Sequence, residues 1–393
     1  MVDGRRWTIL AVGTLTQAAT CSFLYGIAML LPALRRDDGL SLLGGSVLVS
    51  APMVGLLLTL IAWGAAADRH GERVVIGSGV GAAAVCLAAA ALVPTVAATA
   101  VLLLAAGAAG ASVNAASGRM VMGWFPVQER GLAMGTRQTA QPLGVAIAAL
   151  TLPPLADAIG PRAALWLPAG LCGLAALAVW AFVADPPRAP RSAGEPGVPS
   201  PYRGSWQLAR VHLSSSLLVL PQFAVATFTL VYLVGERGWD PSTAGRVVFG
   251  FQVVGAAGRI VAGIWSDRVR SRLRPMRQLA VAATALMLGL ALGAHWHAGW
   301  IVVLFGLAAV VTVADNGLAY TSVAELAGSE WSGRALGIQN TAQNLVAVAS
   351  APMLAAIIGD SRYALAFGLV ALAPLAAIAT TPVRAERLEA VAA

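Results

Sequence analysis

Apolar runs about as long as a bilayer core is thick recur along nearly all of this 393-residue chain, and no other feature constrains its fold as strongly. A hydrocarbon core takes roughly 20 apolar residues per helical crossing. Charged and Pro/Gly breaks divide the sequence into runs near 7–33, 46–66, 74–93, 96–122, 131–153, 163–184, 211–235, 243–265, 277–295, 300–322, 335–358 and 362–382. Only 11% of residues are charged, against about 25% in a soluble domain, so most of the surface is read as facing lipid. A spanning backbone must satisfy its own hydrogen bonds, which helices do. A barrel would show alternating segments of about ten residues and aromatic girdles, whereas aromatics here are 6%. The expected fold is an all-α polytopic membrane protein with twelve transmembrane helices. No cleavable leader is expected, because the first run is too long for one and lacks a convincing small-residue cleavage site before the next run.

The runs form two sets. Gly64-Ala-Ala-Ala-Asp68-Arg69 after run 2 matches Gly263-Ile-Trp-Ser-Asp267-Arg268 after run 8, and Gly135-Thr-Arg-Gln-Thr139-Ala140-Gln141 matches Gly337-Ile-Gln-Asn-Thr341-Ala342-Gln343 in runs 5 and 11. Asn114 and Asn316 fall in the same register. Repeats in a membrane chain point to a transporter with its site at their interface. Two pseudo-symmetric six-helix bundles, 1–184 and 206–393, are expected, joined by a Pro/Gly/Ser/Arg-rich linker over 185–205. The chain has 26 basic residues besides histidine, all arginine. With alternating spans, Arg5, Arg6, Arg69, Arg73, Arg130, Arg188, Arg191, Arg268, Arg270, Arg272, Arg274, Arg277, Arg334, Arg384 and Arg387 fall on one side, together with Arg203 and Arg210. The opposite loops hold Arg35, Arg36, Arg162, Arg237, Arg246 and Arg362. By the positive-inside rule both termini and the linker are cytoplasmic, in an inner membrane. The net charge of +8 is thus a topology signal, and no nucleic-acid partner is expected. Cys21, Cys86 and Cys172 lie in apolar runs and are read as packing residues.

At Gly64-Ala-Ala-Ala-Asp68-Arg69-His70-Gly71-Glu72-Arg73 the sequence resembles the loop motif of the major facilitator superfamily, with a second copy at Gly263, Asp267 and Arg268. The resemblance covers the whole chain and implies two bundles rocking about a central site. It also implies a gating role for Gly64, Asp68, Arg69 and Arg73, whose carboxylate and arginine latch the cytoplasmic side. Physically, a carboxylate can accept from exposed N–H groups at a facing helix end while a guanidinium pairs with it. The second copy lacks the glycine after Asp267-Arg268, and a weaker latch is expected there. Trp124-Phe125-Pro126-Val127-Gln128-Glu129-Arg130-Gly131 is similar to the corresponding loop of organic-anion carriers. Gly258-Arg259-Ile-Val-Ala-Gly263-Ile-Trp-Ser-Asp267-Arg268 is similar to span 8 of oxalate:formate antiporters and monocarboxylate transporters, where the arginine meets the substrate carboxylate. The acid that monocarboxylate transporters place one turn earlier is Gly255 here.

An ionisable residue inside a span is expensive and marks a functional hypothesis. Arg259 lies ~12 Å, and Arg137 ~10 Å, inside the arginine-rich boundary. The family fold would bring these two together as a guanidinium clamp for an oxyanion. A salt bridge, a carbonyl contact or snorkelling is the alternative for each. Asp315, ~15 Å deep, is a proton-coupling candidate or the permanent counter-ion of an arginine. Arg119 is read as a structural partner near the boundary. Gln252, Gln222, Gln141, Asn316 and Tyr25 complete the expected substrate-binding set. Helix-to-helix glue is the alternative for the amides, and packing for the tyrosine. His295, Trp296, His297 and Trp300 are read as an interfacial anchor.

No phosphate-loop sequence is present, and neither a catalytic triad nor a metal-ligand set is apparent, so no enzyme activity, cofactor or metal is expected. The nitrate-porter and drug:proton antiporter signatures of run 5 are not matched. The expected function is secondary transport of a small organic anion, a carboxylate, by alternating access with protons as a candidate coupling ion, in a monomer. Efflux of a drug or apolar metabolite, and a non-transporting solute sensor, are the alternatives.

Overall fold

The computed structural model describes residues 2–37, 42–186, 199–203, 205–359, 361–384 and 386. Most of the expected linker, together with Asp38, Arg188, Arg191 and Arg387, lies outside the described residues. Among the described residues, twelve helices are long and apolar enough to cross a membrane, numbered here in chain order. They are α1 Gly4–Leu30, α2 Val47–His70, α3 Glu72–Leu92, α4 Val96–Trp124, α5 Val127–Ile159 and α6 Ala163–Phe182. The second set is α7 Gln207–Gly235, α8 Thr243–Arg268, α9 Leu273–His295, α10 Ile301–Gly328, α11 Glu330–Ile358 and α12 Tyr363–Thr380. Each overlaps one apolar run, but several continue past it. Polar residues at the end of a run can stay helical where other groups satisfy the helix terminus. Thus α2 reaches His70 and α3 begins at Glu72, with only Gly71 between them at φ +87°, a conformation that favours glycine.

Local chemistry sets the other boundaries. The hydroxyl of Thr95 accepts from Ala98 N–H at the start of α4, and the carboxylate of Asp240 accepts from Thr243 N–H at the start of α8, both ordinary N-caps. α10 passes into α11 through Gly328, whose φ of +71° breaks the helix. α5 is interrupted at Thr139, with helices Arg130–Gln138 and Ala140–Ile159 on either side.

The chain forms two compact units. One comprises Met1–Phe125, Thr139–Val198 and Gly328–Asn340, and the other Pro126–Gln138, Pro199–Ala327 and Thr341–Ala393. The core of the first is built on Leu56, Leu60, Val80, Leu87, Leu103 and Val113. That of the second is built on Phe228, Tyr232, Leu290, Phe305 and Phe367. Helices in lipid gain little from burying apolar groups against each other, so small residues that allow close approach matter more. In the first unit Gly107 of α4 lies on the backbone of Pro52 in α2, and Gly79 of α3 lies on Ser112 of α4. In the second, Gly255 of α8 lies on Ala309 of α10, where an added Cβ would stand 2.7 Å from the carbonyl oxygen. Large apolar side chains point outward instead: Leu58 is 72% and Leu150 76% exposed. Such a surface suits hydrocarbon.

Candidate functional site

Where α2 ends, Asp68 accepts from the backbone N–H groups of Gly333 (3.0 Å) and Arg334 (3.2 Å) at the start of α11. Where α8 ends, Asp267 accepts from Gly131 (2.9 Å) and Leu132 (2.8 Å) near the start of α5. Each carboxylate accepts from two backbone N–H groups in the first turns of the facing helix, near the positive end of that helix's dipole. Glycines permit the approach. Side chains at Gly64 or Gly333 would strike the opposing backbone in one contact, and at Gly263 or Gly131 in the other.

Both carboxylates also meet an arginine, but not the one adjacent in sequence. Arg69 and Arg268 are exposed. Asp68 pairs with Arg119 on α4 (2.8 Å), which also pairs with Glu72 at the start of α3 (3.1 Å), and more loosely with the side chain of Arg334 (3.6 Å). The partner of Asp267 is Arg272, which also pairs with Glu325 on α10 (3.5 Å). One acid–arginine–acid triad therefore occurs twice with its roles exchanged. In the first unit the helix after the motif supplies the second acid and α4 the arginine; in the second the segment after the motif supplies the arginine and α10 the acid. The second motif copy makes the same two backbone contacts as the first without that glycine. A further cap repeats as well. Asp185 accepts from Glu72 and Arg73 N–H, and Glu386 from Arg272 and Leu273 N–H. The side chain of Arg73 donates to Trp180 O and lies over its ring, 5.5 Å from the centroid.

Deeper in the second unit, Arg137 is 1% exposed, Arg259 5% and Asp315 2%. Buried charges of this kind require partners. Arg259 donates to the backbone carbonyl of Gln138 (2.5 Å). That carbonyl is available because the residue four positions on is Pro142, which has no N–H to donate to it. The helix ladder resumes with Leu143 N–H on Thr139 O. Arg137 donates to Gln138 Oε1 (2.9 Å) and lies over the ring of Tyr320, 5.5 Å from the centroid. Helix α5 approaches so closely at Gly135 that a Cβ there would stand 2.6 Å from Arg259 O. Arg259 is within electrostatic reach of Asp315, and both arginines are within reach of Tyr320. Asp315 Oδ2 has no hydrogen-bond partner among the described residues.

Amides make a parallel pair of contacts. Asn316 donates to Gln222 (3.0 Å), and Gln343 donates to Ser215 (2.6 Å) and Asn316 (3.4 Å). In the first unit Gln17 donates to Asn114 (3.3 Å), and Asn340 to Asn114 O (3.2 Å). A first-helix glutamine thus meets a fourth-helix asparagine in each half. Gln252 is half-buried seven residues before Arg259. Tyr25, where α1 tightens into a 3-10 turn, and Gln141 are half-buried in the first unit rather than with Arg137 and Arg259. Tyr320 and Gln138, absent from the expected set, join the charged cluster. A proline four residues after Gln138 and a tyrosine one turn after Asn316 are the signals that could have found them.

The major facilitator superfamily model matches residues 10–352. The chain belongs to the major facilitator superfamily. It is 44% identical over 382 residues to the uncharacterized MFS-type transporter Rv2994 of Mycobacterium tuberculosis (strain ATCC 25618 / H37Rv), covering 97% of this chain and 86% of that protein. Two solved facilitator structures each superpose with a TM-score of 0.74. The human organic anion transporter MFSD10 (TETRAN) is 18% identical, over 96% of this chain and 99% of that one. The proton:xylose symporter XylE is 14% identical, over 96% and 95%. Since an anion carrier and a sugar carrier superpose equally well, these likenesses show the fold alone. As a facilitator with twelve apolar helices, the chain is a multi-pass membrane transporter.

Proposed function

We propose that this facilitator is a secondary active transporter of a small organic anion, a mono- or dicarboxylate, working by alternating access with protons as the coupling ion. Its span-8 motif likens it to the oxalate:formate and monocarboxylate branches, and the proposed protein works in the inner membrane as a monomer with both termini cytoplasmic. The observation that carries this reading is the buried group of Arg137, Arg259 and Asp315, with one carboxylate oxygen of Asp315 left unpartnered among the described residues. A guanidinium stays charged when desolvated and offers a planar fork to a carboxylate. The two arginines are the substrate ligands, with Gln222, Asn316 and Gln252 as polar neighbours; Tyr25 and Gln141 complete the proposed binding set. Asp315 takes up and releases the proton. The Asp68 and Asp267 contacts, with the glycines and arginines of their motifs, form in one conformation and break in the other, so they bias a two-state equilibrium.

The Arg259–Gln138 carbonyl contact favours a second reading, in which the arginines brace α5 against α8 and the solute is a drug or apolar metabolite. A thermal-shift screen of mono- and dicarboxylates on wild type and Arg259→Gln separates the two. The anion reading expects stabilisation of wild type that the variant loses. The bracing reading expects no carboxylate to stabilise either. Counterflow of a labelled hit distinguishes transport from sensing.

A further inference from the structure

On the arginine-rich side of the second unit, a cavity of about 410 Å³ opens between the ends of α7, α9 and α12. Arg210, Arg277 and Arg384 line it with Gln207, Ile378 and Pro382, and among the described residues no acidic residue lines it. All three arginines are exposed. Arg210 lies one turn into α7, Arg277 one turn into α9 and Arg384 one turn past α12. Each is therefore within about 6 Å of a helix end, and the ends of membrane-crossing helices are the parts that reach the headgroup region. The Arg210 guanidinium is held in place: Nε donates to Thr380 O (3.0 Å) and Nη2 to Ala379 O (3.1 Å). Three of its five N–H groups remain for a ligand.

Three guanidiniums around one cavity repel each other unless an anion joins them, and their forked donors match phosphate oxygens. Ile378 and Pro382 supply an apolar wall beside that charge. Trp206, 82% exposed just before α7, is of the type that anchors at headgroup level. We infer that this cavity is a binding site for the phosphate headgroup of an anionic phospholipid, separate from the buried Arg137–Arg259–Asp315 cluster. The apolar wall and the depth select a lipid over free phosphate.

Native mass spectrometry of the full-length protein, titrated with phosphatidylglycerol or phosphatidylcholine, tests the inference. Variant Arg277→Gln/Arg384→Gln keeps the anchored Arg210, and Arg274→Gln is the control, an exposed arginine on the same helix that does not line the cavity. At roughly fivefold per arginine near a membrane surface, the double variant is expected to bind phosphatidylglycerol about thirtyfold more weakly. Arg274→Gln should match wild type, and phosphatidylcholine should bind weakly to all three. Equal phosphatidylglycerol affinity in wild type and the double variant overturns the site. Equal loss in Arg274→Gln assigns the effect to net charge and overturns it too. Displacement of the lipid by millimolar inorganic phosphate would overturn the choice of a lipid.

Discussion

Arg119 pairs with two acids that are almost wholly buried, the side chain of Asp68 being 4% and that of Glu72 0% exposed. Replacing it with glutamine removes the guanidinium from both. Asp68 keeps the Gly333 and Arg334 N–H groups and the Arg334 guanidinium at 3.6 Å, so the damage falls more on Glu72. Removing one partner of a buried ion pair costs about 3–5 kcal/mol, because the other charge remains in a poorly polar site. At about 2 °C per kcal/mol for a chain of this size, Arg119→Gln should lower the melting temperature by about 6–10 °C. Glu72→Gln/Arg119→Gln should recover more than half of that loss, since neutralising Glu72 removes the charge left behind. Thermal unfolding in one detergent at one scan rate is the assay, because unfolding of such proteins is often rate-limited. An Arg119→Gln variant that melts within 2 °C of wild type would refute the reasoning. So would a double variant no more stable than Arg119→Gln, because the triad would then not couple the two residues.

Three further outcomes follow from the same contacts. Asp267→Asn keeps one acceptor but turns an amide N–H toward the other backbone donor, a loss of about 1.5–3 kcal/mol. Hydrogen exchange at Gly131 and Leu132 should speed up at least tenfold, and no change would show that Asp267 does not hold that helix end. Pro142→Ala supplies the N–H that Gln138 O lacks, so Arg259→Gln should cost less stability in that background than in wild type, by about 1–3 kcal/mol; equal costs would remove Gln138 O as the anchor. Asp315→Asn should still exchange labelled carboxylate across a membrane at equal pH but lose accumulation driven by a pH gradient, and retained accumulation would exclude Asp315 as the proton carrier.

Some of this was readable in the chain. The twelve helices follow from apolar length alone, since the bilayer sets one requirement for every crossing. The positions of Asp68 and Asp267 were evident from the repeat, as were Arg137, Arg259 and Asp315 from the rarity of charge in a span. Partners were harder. Arg69 is next to Asp68 in sequence, yet consecutive helix residues point in different directions, and Arg119, fifty-one residues away, reaches the carboxylate. The second triad carries its acid on α10 and its arginine after α8, so strict alignment of the halves hides it. The Arg259–Gln138 contact depends on a carbonyl freed by Pro142, which requires reading a proline for the acceptor it leaves rather than for the kink it makes.

Uptake of a labelled carboxylate by proteoliposomes carrying wild type or Arg259→Gln is the most direct test of the proposed activity. Wild type should accumulate the anion under an inward proton gradient, and the variant should show no uptake above empty liposomes. Transport by Arg259→Gln at the wild-type rate would contradict the account.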